Sequence, residues 1–173
     1  MNRPWPDAWV AIFAGSTGLA LLLGAWGFQY LGGLPPCEMC IWQRWPHGLA
    51  IIVGVGGGVF VLLADAPRGL GRAIAVVAIV SIAVSGLIGI FHAGVEWHWW
   101  TGPTDCTGTG FVPGGAIDPS APLQIVRCDV AMWRLFGLSL AGYNALLSLG
   151  VAGASLYFMG SPVRDGKTDD GGT

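Results

Sequence analysis

Charge is what this sequence has least of: only 10% of its 173 residues are Asp, Glu, Lys or Arg, against about 25% in soluble globular domains. That shortage excludes an ordinary soluble globule. A basic surplus is missing too, since 8 Lys and Arg stand against 10 Asp and Glu for a net charge of −2. The chain therefore lacks the positive field that neutralises a phosphate backbone, and nucleic acid is excluded as a partner. What is there is apolar: 53% of residues are hydrophobic, with 29 Gly and 9 Trp. Such a composition suits closely packed transmembrane helices with aromatic ends, and the length admits one compact membrane domain.

Charged residues are absent from four long stretches, about Ala8 to Tyr30, His47 to Ala64, Ala73 to Phe91 and Gly137 to Gly160. About 20 residues rising 1.5 Å each cross a hydrocarbon core of about 30 Å, and inside lipid every backbone group must be paired within its own helix. The expected fold is an all-α integral membrane protein, a four-transmembrane-helix bundle forming a single domain over residues 1–160. Loops at about 31–46 and 92–136 would lie on the outer side, and a disordered polar tail would follow over 161–173. The first stretch is longer than the apolar region of a signal peptide and reads as a span.

Arg3, Arg68, Arg72, Arg164 and Lys167 fall at the N-terminus, the short middle loop and the tail. Arg44, Arg127 and Arg134 fall in the other two loops, which hold about twice as many residues, so the density of positive charge favours both termini being cytoplasmic. Trp42, Trp45, Trp97, Trp99, Trp100 and Trp133 then gather at the outer boundary as an aromatic belt. Gly54 and Gly58, Ser81 and Ser85, and Ala141 and Ala145 repeat a small-xxx-small spacing that suits close helix packing.

All four cysteines, Cys37, Cys40, Cys106 and Cys128, fall in the two outward loops, which implies an oxidising exterior. Four cysteines permit three pairings, of which the loop arrangement favours Cys37 with Cys40 and Cys106 with Cys128. The first pair, CEMC, closes a small ring that is easily reduced and suited to exchange. Cys40 lies at the start of the second helix, where the positive end of the helix dipole and Arg44 would both stabilise a thiolate. If helix runs from Cys40, Arg44 and His47 share its face, whereas Pro46 is an alternative helix start. No metal is expected: CEMC is at most half of a zinc site, and Cys106 and Cys128 are separated by about twenty residues. Haem attachment would require His after the second cysteine, where Ile41 stands, and no iron–sulfur ligand set is present.

Cys106 and Cys128 enclose a loop whose closure is worth about 3 kcal/mol as a simple staple. The enclosed segment has little core to hold together, which favours a redox role over a structural one. Two exchangeable disulfides near a membrane, with no metal centre to receive electrons, fit a lipid-soluble two-electron acceptor such as a quinone. Arg44 would offer N–H donors to a quinone carbonyl.

The stretches CEMCIWQRWPH, FHAGVEWHWW followed by Cys106, and CDVAMWRLFGLSLAGYNALLSL together resemble the bacterial DsbB family of membrane thiol:quinone oxidoreductases, and the resemblance covers most of the chain. It implies a bundle that reoxidises a periplasmic thioredoxin-fold oxidase of the DsbA type and reduces ubiquinone or menaquinone in the bacterial inner membrane. By position, Cys106 would be attacked by the reduced partner, with Cys128 as its disulfide mate, and Cys37 and Cys40 would take the electrons. Cys40 would form a charge-transfer pair with the quinone, tuned by Arg44. His92 would hydrogen-bond the quinone, with Glu96 four residues on to satisfy it or a nearby backbone group. GVEWHWW would lie along the membrane as a short amphipathic segment. Two rival readings are a bundle with inert staples and a quinone reductase of the vitamin K epoxide reductase type. In the latter the CxxC belongs near a later helix's end, whereas CEMC lies between the first and second spans.

Overall fold

The computed structural model describes residues 5–107 and 126–161. Within them the chain forms four long helical rods. The first is α1 (Trp5–Trp26), which loosens into a π-helical turn over Gly27–Leu31. The second joins α2 (Glu38–Ala50), a π-helical stretch Ile51–Gly57 and α3 (Gly58–Leu63). The third is α4 (Arg68–Glu96), and the fourth is α6 (Leu140–Gly160), with the one-turn α5 (Thr104–Thr107) between them. Pro6–Leu31, Glu38–Leu63 and Arg68–Glu96 are long and apolar enough to cross a membrane, so the chain is a multi-pass membrane protein. The fourth rod has 21 residues and carries buried Asn144, Ser148 and Ser155.

The rods extend beyond the expected spans in ways that matter for the site. The second begins at Glu38 rather than near His47, because Cys37 caps it: the Cys37 side chain accepts the backbone N–H of Cys40 at 3.2 Å. Pro46 sits inside α2 and does not start it, since a helix surrounded by apolar groups offers the freed carbonyl no better partner. The third rod runs five residues past Phe91, placing His92 and Glu96 inside α4. GVEWHWW is accordingly no separate horizontal helix: GVE ends α4, and Trp97 to Trp100 turn back on it. There the Trp100 indole N–H donates to the Phe91 carbonyl at 2.8 Å, and its ring covers Gly94. The fourth rod starts at Leu140 after a hairpin of β1 (Arg134–Leu135) and β2 (Leu138–Ser139), with Arg134 opposite Ser139. Phe136 and Gly137, at φ of 49° and 81°, make its tight turn. Ser139 caps α6 by accepting the Gly142 N–H at 3.2 Å. The tail expected to be disordered lies, beyond Ser161, outside the described residues.

Helices in lipid gain little from burying apolar surface against each other and associate through close packing and polar contacts. Here α1 meets the π-helical stretch of the second rod almost backbone to backbone. A Cβ on Gly54 would stand 2.5 Å from the Ala11 carbonyl oxygen, and one on Gly15 2.7 Å from that of Ala50. Gly58 continues the stripe against Ile12, and Gly89 brings α4 equally close to the backbone of α6 at Ala141 and Ala145. Ala14, Ala78, Ile79, Ile82 and Ala152 fill the junction of α1, α4 and α6. Trp9, Leu23, Val80, Leu87, Leu146 and Phe158 face outward, as a lipid-facing surface requires. At one end of the bundle, buried Asp7 of α1 pairs with Arg68 of α4 at 3.7 Å.

Gly54→Val is expected to destabilise the protein by about 1–3 kcal/mol through overpacking, seen as a lower unfolding temperature in detergent. Gly56→Val, whose Cβ meets nothing within 4 Å, is expected to leave that temperature nearly unchanged.

Candidate functional site

Three of the four cysteines are buried at the other end of the bundle, and the fourth, Cys40, packs against them. The Cys37 and Cys40 sulfurs lie 2.7 Å apart across the first turn of α2 and are not bonded to each other. Cys106 in α5 and Cys128 form a disulfide whose Cα atoms are 5.4 Å apart, well within the usual range. It is tied down further by the Cys128 N–H, which donates to the Cys106 carbonyl at 3.0 Å. The sulfurs of Cys37, Cys106 and Cys128 all fall within 4.8 Å of one another. Met39 and Val95, both buried, floor this cluster. Thus the bond expected between Cys106 and Cys128 is present, and Cys37 stands between the two pairs. Cys40 lies within a helix, and Cys37 caps that helix rather than occupying a free loop. Most of the segment enclosed by the disulfide lies outside the described residues.

Charge is unevenly disposed around the sulfurs. The hydrogen bond to Cys40, and then burial, push the Cys37 thiol upward. Beside the disulfide, the exposed Arg127 donates from Nε to Asp129 at 2.8 Å. That hydrogen bond holds the Asp129 carboxyl below the usual carboxylate range.

Next to Cys37 and Cys40 opens a cavity of about 350 Å³ between α1, α2 and α6. Its walls are mostly apolar, among them Leu21, Ala25, Phe28, Pro35 and Leu147. Trp133, expected in the aromatic belt, is also part of the wall, its ring 4.9 Å from Phe28 and 6.1 Å from Tyr143. Arg44 and His47 both line the cavity, as their shared helix face requires. One guanidinium nitrogen of Arg44 donates to Gln29 Oε1 at 2.7 Å, while its buried Nε has no hydrogen-bond partner among the described residues.

His92 lies on the sulfur side of the cavity. Its Nε2 is 3.5 Å from Cys37 Sγ and 3.7 Å from a Glu96 carboxylate oxygen, and its Nδ1 is 2.9 Å from Gln43 Nε2. Gln43 begins a buried polar ladder across three rods. Its Oε1 accepts from Asn144 Nδ2 at 2.7 Å, Asn144 Oδ1 is 2.9 Å from His47 Nε2, and Ser148 donates to the same Oδ1 at 2.8 Å. Ser85 donates to the Gln43 carbonyl at 3.0 Å and meets His47 Nε2 at 2.9 Å. Sequence reasoning centred on charged groups missed Gln43, Ser85, Asn144 and Ser148, and read Ser85 only as a small packing residue. The signal available was an Asn and several Ser inside helices otherwise apolar, since polar residues at membrane depth are costly unless partnered.

A search of solved structures finds no match. Comparison by sequence is decisive instead. The disulfide bond formation protein B of Alkalilimnicola ehrlichii is 30% identical over 159 residues, covering 77% of this chain and 84% of that relative. The family model for disulfide bond formation protein DsbB matches residues 7–158. With its cysteines gathered at one end of a membrane bundle, this chain belongs to the DsbB family and is a membrane protein of disulfide redox chemistry.

Proposed function

We propose that the protein is a thiol:quinone oxidoreductase that reoxidises a periplasmic DsbA-like dithiol protein and passes the electrons to ubiquinone or menaquinone in the inner membrane. The proposed architecture is four membrane spans with both termini cytoplasmic and the cysteine end of the bundle periplasmic. The observation that carries this reading is the sulfur cluster: Cys37 lies within 4.8 Å of both sulfurs of the second pair and 2.7 Å from Cys40. Inert staples need no such proximity.

The exchange steps follow from that geometry. A thiolate of the reduced partner attacks Cys106, forming a mixed disulfide and releasing Cys128 as a thiolate. Cys128 attacks Cys37 of the oxidised Cys37–Cys40 pair, forming a Cys37–Cys128 disulfide, and Cys40 leaves as a thiolate. The partner's second thiolate attacks its own sulfur in the mixed disulfide and displaces Cys106 as a thiolate. Cys106 attacks Cys128, re-forming the Cys106–Cys128 bond and freeing Cys37. The partner ends as a disulfide, and Cys37 and Cys40 hold its two electrons.

A quinone, when bound, supplies an acceptor for two electrons and two protons. The cavity residues fit such a group, because its volume of about 350 Å³ and apolar walls suit a small planar ring. The buried Arg44 Nε, without a hydrogen-bond partner among the described residues, supplies an N–H donor that a ring carbonyl would satisfy. Arg44 is itself held by Gln29, so the donor is oriented before anything binds. Cys37 and Cys40 both line the cavity, and in this reading Cys40 is the sulfur that gives its electrons to the acceptor.

Mixing the purified protein anaerobically with a reduced thioredoxin-fold dithiol protein is expected to bleach quinone absorbance, and Cys40→Ser to abolish the change. Absence of bleaching in the wild type, with a competent partner, would overturn the oxidoreductase reading. Cys106→Ser is expected to block oxidation of the partner while leaving quinone affinity within about twofold, as expected for a site off the cavity. Arg44→His should weaken quinone binding by roughly tenfold, the scale of one lost charge-assisted hydrogen bond, measured by equilibrium titration.

A further inference from the structure

The buried ladder determines where the histidine protons sit, because two backbone carbonyls anchor it. Asn144 Nδ2 is 3.1 Å from the Ser85 carbonyl oxygen and must be the nitrogen; it also lies 3.1 Å from Ser85 Oγ, and its shortest contact, 2.7 Å, is to Gln43 Oε1 as an acceptor. Gln43 Nε2 in turn donates to the Met39 carbonyl at 3.1 Å. Turning Asn144 over would set its oxygen against the Ser85 carbonyl and Gln43 Oε1, and turning Gln43 over would set its oxygen against the Met39 carbonyl and its nitrogen against Asn144 Nδ2. The second hydrogen of Gln43 Nε2 therefore points at His92 Nδ1, which must accept it and carries no proton. The ring proton of neutral His92 is then on Nε2. Among the described residues, the groups recorded at Nε2 can both accept: the Cys37 sulfur at 3.5 Å and the Glu96 carboxylate at 3.7 Å.

We propose that Gln43 and Asn144 are positioning residues that lock His92 as the Nε2–H tautomer, so that His92 holds an N–H donor on the Cys37 sulfur during disulfide exchange. This deepens the exchange reading above and rests on it. When Cys106 attacks Cys128 and the Cys37–Cys128 bond breaks, the electron pair leaves on Cys37. The Cys40 backbone N–H and the His92 N–H both point at that sulfur. His92 thus acts on the sulfur while its ring also lines the cavity. The same tautomer argues against a metal on Cys37, Cys40 and His92, although their ligand atoms lie within 4.8 Å of one another, because the nitrogen facing the sulfurs has no free lone pair. The other ionisable groups facing this point are Cys40 and Arg44 on α2 and Glu96 on α4, with Arg134 from the hairpin reaching the Glu96 carbonyl at 3.5 Å.

Two measurements test this without any quinone or partner protein, so failure of the relay and failure of the tautomer lock are separable. In ¹⁵N-histidine-labelled protein, with His92 assigned by its loss in His92→Phe, the nitrogen shifts should show Nε2 protonated and Nδ1 bare. A protonated Nδ1 would overturn the proposal. In a Cys40→Ser background with the Cys106–Cys128 disulfide intact, His92→Phe should slow iodoacetamide alkylation of Cys37 at pH 7 about tenfold, the scale of a hydrogen bond to a charged group. Gln43→Met should slow it in the same direction. Gln43→Glu, whose carboxylate accepts from Nδ1–H and holds His92 as the imidazolium with a proton on each nitrogen, should retain fast alkylation. Unchanged rates in His92→Phe or Gln43→Met, or equal slowing in Gln43→Met and Gln43→Glu, would overturn it.

Discussion

A side-chain amide buried among membrane helices has no water to turn to, and Asn144 resolves this by bonding to two other rods at once. Its nitrogen serves Gln43 of α2 and the Ser85 carbonyl of α4, and its oxygen serves Ser148 and His47. Each of these bonds replaces an unsatisfied polar group that would cost about 1–3 kcal/mol if buried alone. The arrangement fixes rotation and height of three rods relative to one another, which glycine stripes alone leave free to slide. From that registration follow the position of Gln43, the proton on His92 and the distance from His92 to the Cys37 sulfur.

Above the ladder the bundle ends in sulfur. Cys37 belongs to both halves of the site: it caps α2, neighbours Cys40 along the helix, and touches the Cys106–Cys128 disulfide across the bundle. The disulfide is brought there by α5 on one side and the segment leading to the hairpin on the other. Below the sulfurs, the cavity opens between α1, α2 and α6, with Arg44 held by Gln29 and Trp133 against Phe28. Exchange chemistry and an apolar binding space thus meet at Cys40, which is the physical basis of the proposed electron route.

Much of the helical architecture was legible from long apolar stretches free of charge, and the family from three stretches of sequence. The small-residue pairs at Gly54 and Gly58 do mark a close helix approach. Helix ends were less legible. Polar residues such as Gln43, Arg44, His92 and Glu96 look like loop when only charge is counted, yet each is accommodated in a helix by a partner from elsewhere in the chain or by the cavity. Likewise Ser85, spaced like a packing residue, proves to be a hydrogen-bonding node.

By itself the sequence determined that the chain is a membrane helix bundle with four cysteines outside its most apolar stretches, because hydrophobic length and the cost of buried charge are local properties. Only the tertiary structure decided that Cys37 reaches the second cysteine pair, that Trp133 walls a cavity, and that His92 stands between Gln43 and the Cys37 sulfur. Those facts depend on which acceptor stands opposite which donor, and such pairings join residues up to 101 positions apart, set by packing between helices that no local pattern encodes.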